Sequence, residues 1–176
     1  MTEPQLIQAC IQEDAKAQQI LYQQYLPYLY GICRRFNIPN AEIKDLIQEI
    51  YIEVFLSLRS YNSSKGQLKY WIKSIAIHKI LKLLRKKKWV FDEWKEGSSE
   101  PIGWDLAIQQ MDAEYILQLI WELPKGYATI FNLHVIDGYS HKEISSMLKI
   151  RESSSRSQLA RARKLLQEKL LTLKHT

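Results

Sequence analysis

The sequence predicts an all-α protein made of two small helical domains joined by a linker. Glycine and proline are scarce, at 6 and 5 of 176 residues, which disfavours turn-rich β structure. Apolar residues recur every three or four positions over long stretches, which is the period of an amphipathic helix. This period stops over 89–112, where the segment EGSSEP and mixed charges indicate a linker. We therefore predict one domain over 1–88 and a second over 113–176.

Composition narrows the class of protein. A formal net charge of +6 and a pI of about 9.2 favour a polyanionic partner. Cys10 and Cys33 have neither CxxC nor metal-ligand spacing, so we predict two buried thiols in a reducing cytoplasm. The first residues are polar and acidic, unlike a signal peptide. No apolar run approaches the ~20 residues that cross a bilayer, so direct membrane insertion is not expected.

The first domain is predicted to contain four helices. Their apolar periods run over 6–17, 18–36, 41–58 and 67–88. Pro27 lies inside the second period and removes one backbone donor, so it either bends that helix or breaks it. The segment YNSSKG, at 61–66, has the composition of a turn and connects the third helix to the fourth.

The linker and the start of the second domain are less regular. Four aromatic residues make the linker unusual, because such side chains are costly to leave in water. They are Trp89, Phe91, Trp94 and Trp104. We expect them to pack on one of the domains or to await a partner. Helices are predicted over 113–121 and 125–135, with a break at Pro124 between them.

The segment GYSHKEISSMLKIRESSSRSQLARARKLL, at 138–166, predicts a helix-turn-helix with a cationic second helix. Ser140 and Glu143 have the spacing of a capping box. Ser153 and Ser154 are predicted caps of the second helix. Its outward face is predicted to be small and cationic, which suits a phosphate-lined groove. That face comprises Ser153, Ser157, Ala160, Arg161 and Lys164, with Arg156 and Arg163 at its boundary. The alternative is a solvated pair of amphipathic helices.

The third predicted helix has an acidic outer face. Asp45, Gln48, Glu49, Ile52, Glu53 and Leu56 lie opposite its apolar stripe. Carboxylates mixed with exposed aliphatic residues favour a protein partner, and their sign makes this a poor DNA surface. The alternative is an ordinary charged face with scattered apolar residues.

The fourth predicted helix has the opposite character. Cations, an aromatic residue and one aliphatic residue lie away from its main apolar stripe, at Lys69, Tyr70, Lys73, Ile77, His78, Lys82 and Arg85. This mixture suits a single strand of nucleic acid, because charges contact phosphates and rings stack on bases. Tyr61, in the preceding turn, is either a core anchor or a stacking surface. A metal or catalytic role for His78 is disfavoured, since no second ligand-type residue lies near it in sequence.

Three segments resemble parts of the extracytoplasmic-function (ECF) group of bacterial RNA polymerase sigma factors. LYQQYLPYLYGICRRF and AEIKDLIQEIYIEVFLSLRSYNSSKGQLKYWIKSIAIHKILKLLRKK are similar to domain 2 of that group. ELPKGYATIFNLHVIDGYSHKEISSMLKIRESSSRSQLARARKLL is similar to domain 4. Both domains occur in the family's order, and the resemblance covers roughly four-fifths of the chain.

The resemblance assigns a role to each surface. The residues that the resemblance implies for docking on core polymerase are Asp45, Leu46, Gln48, Glu49, Ile52 and Glu53. Recognition and melting of the minus-10 element fall on Tyr61, Asn62, Lys69, Tyr70, Lys73, His78 and Lys82. Recognition of the minus-35 element falls on Ser153, Ser154, Arg156, Ser157, Gln158, Arg161 and Arg163. His78 replaces a frequent Asn of the family and Lys82 a frequent Asp, so the preferred flipped base is left open.

The resemblance also fixes the expected class of function. It implies a non-enzymatic initiation factor with core RNA polymerase and promoter DNA as partners, and it leaves room for an anti-sigma factor. No catalytic residue, metal or cofactor is predicted, because the sequence has no Gly-rich phosphate loop, triad order or metal-ligand cluster. Two alternatives are an enzyme on a helical scaffold and a helix-turn-helix regulator that does not associate with polymerase.

Overall fold

The computed structural model describes residues 1–86 and 113–173, and in these ranges it contains helices and turns but no strand. The all-α prediction is confirmed. Contacts divide the chain into two units, Met1–Leu84 and Arg85–Thr176. The predicted boundaries at 88 and 113 stay predictions, and Trp89, Phe91, Trp94 and Trp104 lie outside the described residues. No helix in the described ranges has both the length and the apolar character needed to span a membrane.

Unit 1 contains four α-helices. They are α1 (Glu3–Ile11), α2 (Ala15–Arg35), α3 (Asn40–Ser57) and α4 (Leu68–Lys86), with 3-10 turns at Leu58–Ser60 and Ser63–Lys65. The prediction of one helix over 6–17 is wrong, because α1 ends at Ile11 and Glu13 adopts a positive φ of 64°. Asp14 then caps α2 by accepting a hydrogen bond from the Ala17 amide at 2.8 Å. Pro27 lies inside α2, so of the two alternatives, a bend or a break, the break does not occur.

The core of unit 1 is formed by the apolar stripes of all four helices. Leu21 and Leu29 of α2, Ile50 of α3 and Ile72 of α4 are completely buried. Ile77 is also buried, although its position in the sequence suggested the outer side of α4. Burial of these side chains stabilises the unit by removing apolar surface from water.

Unit 2 contains the helix-turn-helix. Its helices are α5 (Ala113–Trp121), α6 (Lys125–Phe131), α7 (His141–Leu148) and α8 (Glu152–Leu173). The helix predicted over 125–135 is α-helical only to Phe131, and Asn132–Ile136 forms a π turn. Gly138 follows with a φ of 79°, a conformation that favours glycine.

The start of α7 is a complete capping box, as predicted. The Glu143 amide donates to Ser140 Oγ at 3.2 Å, and the Ser140 amide donates to Glu143 Oε2 at 2.8 Å. The Ser140 hydroxyl also donates to that carboxylate, and the hydrogen bonds from the Ser140 hydroxyl and amide lower the pKa of Glu143.

The start of α8 differs from its prediction. The helix begins at Glu152, and the Ser155 amide donates to the carbonyl of Arg151 at 3.1 Å. Ser153 and Ser154 therefore lie inside the first turn, and their predicted capping role is wrong. Lys149 ends α7 in the left-handed conformation, with a φ of 58°. The turn between the two helices is short, since α8 begins at Glu152.

Candidate functional site

The exposed side of α3 forms an acidic face, which we define as Asp45, Gln48, Glu49, Ile52 and Leu56. All five side chains are exposed, including 59% of Ile52 and 76% of Leu56. Their spacing places them along one side of the helix. Ile52 and Leu56 are one helical turn apart, and adjacent exposed aliphatic side chains bordered by carboxylates favour a protein partner. The arrangement suits a partner surface that is basic and partly apolar.

Two residues predicted to belong to this surface have other positions. Leu46 is buried, so it supports the acidic face from beneath and its predicted direct contact with a partner does not fit its position. Glu53 is half-exposed and forms an ion pair with Lys79 of α4, with 3.0 Å between Oε2 and Nζ. The charge of the Glu53 carboxylate is therefore balanced within the domain. The ion pair connects the acidic helix α3 to the basic helix α4.

The loop before α4 fixes Tyr61 in a half-buried position. Its hydroxyl donates to the Gly66 carbonyl at 2.9 Å, and its ring centroid lies 5.4 Å from that of Trp71. Burial and the nearby carboxylate of Glu3 raise the pKa of the Tyr61 phenol. Gly66 has a φ of 148°, a region that L-residues rarely adopt. Tyr61 thus anchors the loop and remains half-exposed, and its role as a stacking surface stays a prediction.

Asn62 stabilises the same loop. Its Oδ1 accepts hydrogen bonds from the amide and the hydroxyl of Ser64, at 2.9 and 2.7 Å. This is an Asx turn, in which a side-chain oxygen satisfies a nearby backbone donor. Because that oxygen is occupied, a base contact from Asn62 would have to come from its amide nitrogen.

The basic helix α4 exposes Lys69, Tyr70, His78 and Lys82, while Lys73 is half-buried. Two of its ammonium groups lie over aromatic rings. Lys69 Nζ is 4.6 Å from the ring centroid of Tyr28 on α2, and Lys73 Nζ is 5.6 Å from that of Tyr70. A cation over a ring keeps its charge, so Lys69 remains suited to a phosphate.

His78 is oriented by its own helix. Its Nδ1 lies 2.7 Å from the carbonyl oxygen of Ser74. A carbonyl oxygen only accepts, so Nδ1 carries the proton and Nε2 of the neutral ring is an acceptor. In 1–86 and 113–173, no cluster of three or more potential metal ligands was found.

The first turn of α8 is accessible. Ser153 and Arg156 are exposed, and Ser154 is half-exposed. The Arg156 guanidinium forms an exposed ion pair with Glu152, one turn earlier, with 2.5 Å between Nη2 and Oε1. Exposed pairs of this kind contribute little to stability, so Arg156 can exchange this partner for a base or phosphate at small cost.

The next turn of α8 is buried on every side. Ser157, Gln158, Leu159 and Ala160 are consecutive, and each is 9% exposed or less. Successive residues of an α-helix are about 100° apart, so four of them span most of its circumference. The prediction that Ser157 and Ala160 face outward is therefore wrong, and Gln158 is likewise covered. Since α5, α6 and α7 all contact α8, more of its surface is covered than one apolar stripe predicts.

Gln158 is unusual among these buried residues. Neither its Oε1 nor its Nε2 has a hydrogen-bond partner within the described parts of the chain. A buried amide without partners costs free energy, about 1–3 kcal/mol in mutational data. A change that exposed Gln158 to water, or gave its amide a hydrogen-bond partner, would therefore lower the free energy of this turn.

The remaining cations of α8 are partly tied to the domain. Arg161 and Arg163 are half-buried, and Arg161 Nη1 donates to the hydroxyl of Tyr127 on α6 at 3.2 Å. Sequence reasoning placed both at or beside an exposed surface. Lys164 is exposed, as predicted.

A histidine pair at the base of the helix-turn-helix was missed by the sequence analysis. His141 is buried, and its Nδ1 lies 2.8 Å from the hydroxyl of Ser155 on α8. Its ring stacks on that of His134, with centroids 4.2 Å apart. His134 Nδ1 in turn donates to the Tyr139 carbonyl at 2.8 Å. These contacts fix the angle at which α8 leaves α7.

Comparisons with known proteins identify both units. The family model for sigma-70 region 2 matches residues 21–90, and that for sigma-70 region 4 matches residues 113–166. The ECF RNA polymerase sigma factor SigM of Bacillus subtilis is 26% identical over 149 residues, which cover 83% of this chain and 90% of SigM.

Two solved structures have a similar fold. The sigma factor RpoE of Bartonella quintana, in complex with the anti-sigma factor NepR, gives a TM-score of 0.54 at 19% identity, over 86% of this chain and 95% of RpoE. CnrH, in complex with the cytosolic domain of CnrY, gives a TM-score of 0.53 at 17% identity, over 95% of this chain and 96% of CnrH.

A unit that matches sigma-70 region 2, followed by a helix-turn-helix unit that matches region 4, identifies the chain as a transcription initiation factor. The chain belongs to the ECF group of bacterial RNA polymerase sigma factors. It directs core polymerase to promoters and aids initiation, and the alternative of a regulator independent of polymerase is set aside.

Proposed function

We propose that this sigma factor divides its work among three surfaces. The acidic face of α3 docks on core polymerase, the Tyr61 loop and α4 bind the melted minus-10 strand, and α8 contacts the minus-35 element. The observation that carries the proposal is the opposite charge of the exposed sides of α3 and α4 within one unit. One side suits a basic protein surface, and the other suits phosphates.

The proposal places the protein in the cytoplasm, where core polymerase and DNA are found, and gives it no catalytic step of its own. The polymerase performs the chemistry. The test is run-off transcription with core polymerase on a genomic library, followed by mapping of the start sites. Discrete start sites that depend on this chain support the proposal, whereas transcription indistinguishable from that of core polymerase alone contradicts it.

We also propose that an anti-sigma factor regulates this chain. RpoE, which has a similar fold, is bound to an anti-sigma factor. Such a partner could inactivate this chain only by binding an inactive arrangement more tightly than the active one. The exposed Ile52 and Leu56 offer an apolar surface that an inhibitor and polymerase could not cover together. Copurification followed by competition with core polymerase tests this point.

Arg156 is expected to contribute to promoter choice. Arg156→Ala should reduce discrimination at one base pair of the minus-35 element by about 1–3 kcal/mol if the guanidinium contacts a base edge. If it contacts only phosphate, affinity should fall equally on all sequences. The measurement is competition binding of holoenzyme to a mapped promoter and its single-base variants at fixed salt.

Arg161→Ala is the comparison for this experiment. Because Arg161 is half-buried and donates to Tyr127, its loss should lower the stability of unit 2 more than promoter discrimination. If neither variant alters affinity or promoter choice, the accessible side of α8 does not face DNA.

The buried turn at 157–160 predicts that the free chain binds promoter DNA weakly. Because α5, α6 and α7 all contact α8, access to that turn requires a rearrangement within unit 2, and we expect association with core polymerase to produce it. A Gln158→Cys variant should therefore react slowly with a maleimide in the free chain and faster once core polymerase is bound. Cys10 and Cys33 add little background, because both are buried and burial raises the pKa of Cys33 to about 12.

The matched variant is Arg156→Cys, which lies on the accessible turn of the same helix and should react rapidly in both states. Equal reactivity of the two variants in the free chain would show that the turn is already open. If the Gln158→Cys thiol stays protected in an active holoenzyme, promoter binding does not require the turn to open.

A further inference from the structure

Tyr28 lies outside the acidic face, the Tyr61 loop and α4, yet its ring contacts Lys69 of α4. It lies on α2 and is half-buried, and its ring is 4.6 Å from Nζ of Lys69 on α4. Residues 28 and 69 are far apart in sequence, so this contact depends on the packing of the domain. Attraction between an ammonium and the face of an aromatic ring is appreciable within about 6 Å.

Lys69 is a cation without a carboxylate partner in the described part of the chain, in contrast to Lys79, which pairs with Glu53. A carboxylate would neutralise Lys69, but a ring restrains it and leaves its charge available. An exposed lysine otherwise has considerable rotamer entropy, part of which is lost whenever it binds. Restraining Lys69 in advance reduces that loss.

The position of Lys69 suits it to contact a DNA phosphate. It lies in the first turn of α4, shortly after Gly66, whose carbonyl accepts the hydroxyl of Tyr61. Tyr70 follows it directly and exposes 56% of its surface. Lys69 is therefore close in sequence to two aromatic residues on which bases of a single strand can stack, and its restrained ammonium is available for a connecting phosphate.

We propose that Tyr28 is a positioning residue for the melted promoter strand, because its ring holds the Lys69 ammonium where it meets a backbone phosphate. Tyr28 itself contacts no base. The inference rests on the proposed role of α4 in binding single-stranded DNA.

The test measures binding of the full-length chain to a fluorescein-labelled single-stranded DNA of about 20 randomised positions across a salt series. The slope of log K against log[salt] changes by about 0.7 for each phosphate contact on a single strand. Lys69→Ala should lower the slope by about that amount. Tyr28→Leu should weaken binding about two- to fivefold, the effect of one exposed cation–π contact.

Three further variants separate positioning from structure. Tyr28→Phe keeps the ring and should bind like wild type. Tyr28→Leu should have no additional effect when combined with Lys69→Ala. Tyr30→Leu makes the same substitution at an exposed tyrosine of α2 and should bind like wild type. Thermal unfolding of each variant shows whether the fold is retained.

The possible failures can be distinguished. If Tyr28→Leu weakens binding equally with and without Lys69, or if Tyr28→Phe binds as poorly as Tyr28→Leu, the positioning role is overturned and Tyr28 is a packing residue. If Lys69→Ala and Lys73→Ala both leave affinity and salt slope unchanged, the proposed role of α4 in binding a single strand fails as well.

Discussion

Reversing Asp45 and Glu49 to Lys is expected to abolish tight binding to core polymerase while leaving the fold intact. Both carboxylates are exposed on the acidic face, one helical turn apart, so neither contributes to the core. Loss of one partner of a buried interfacial charge pair costs about 2–5 kcal/mol. The dissociation constant of the holoenzyme should therefore rise about 30-fold or more, measured by titration of labelled chain with core polymerase.

Glu13→Lys provides the matched control for the single variants. It makes the same charge change as Asp45→Lys or Glu49→Lys, but at an exposed residue between α1 and α2. It should leave the affinity for polymerase close to that of wild type. Unchanged core affinity for the folded double variant would show that the acidic face is not the docking surface.

Tyr61→Ala is expected to impair promoter opening rather than promoter binding. The substitution removes a stacking surface worth about 1–3 kcal/mol per base, and it removes the hydrogen bond to Gly66 that closes the loop. Closed complexes should still form, because α8 and the cations of α4 are unchanged. Permanganate reactivity of thymines near the mapped start site should fall, since the opening equilibrium should decrease about 5- to 150-fold.

Tyr61→Phe separates the two contributions. Phenylalanine retains the ring contact with Trp71 but cannot donate to Gly66. If Tyr61→Phe opens the promoter near the wild-type level and Tyr61→Ala does not, stacking is the important contribution. If both variants lose promoter opening equally, the important contribution is the loop conformation that the hydrogen bond to Gly66 maintains. Full opening by Tyr61→Ala would leave Tyr61 as a core anchor with no role in melting.

Local signals in the sequence predicted much of the fold. The capping box of Ser140 and Glu143 lies within one turn, and the apolar periods of α2, α3 and α4 are long enough to dominate over local irregularities. The break between α1 and α2 was missed, because its signal is a positive φ at Glu13, a residue type that seldom adopts one.

The candidate site was predicted unevenly, and the reason is tertiary packing. The exposure of Asp45 and Glu49 could be predicted because α3 buries only one side, and the apolar period of the helix shows which side that is. Burial of Gln158 follows from several contacts around α8, which a single-helix pattern cannot predict. The ion pair of Glu53 with Lys79 and the ring contact of Lys69 with Tyr28 also join distant segments. Spacing along one helix carries no information about either.

The ion pair between Glu53 and Lys79 joins α3 to α4 within unit 1. Under the proposed roles, α3 is fixed to the enzyme and α4 holds the unwound strand, so the separation of these two helices is a property of this chain. We expect that separation to contribute to the number of nucleotides between the promoter element and the first nucleotide copied. A partly exposed ion pair contributes little by itself, so buried side chains such as Ile50 of α3 and Ile72 of α4 are the main support of this spacing.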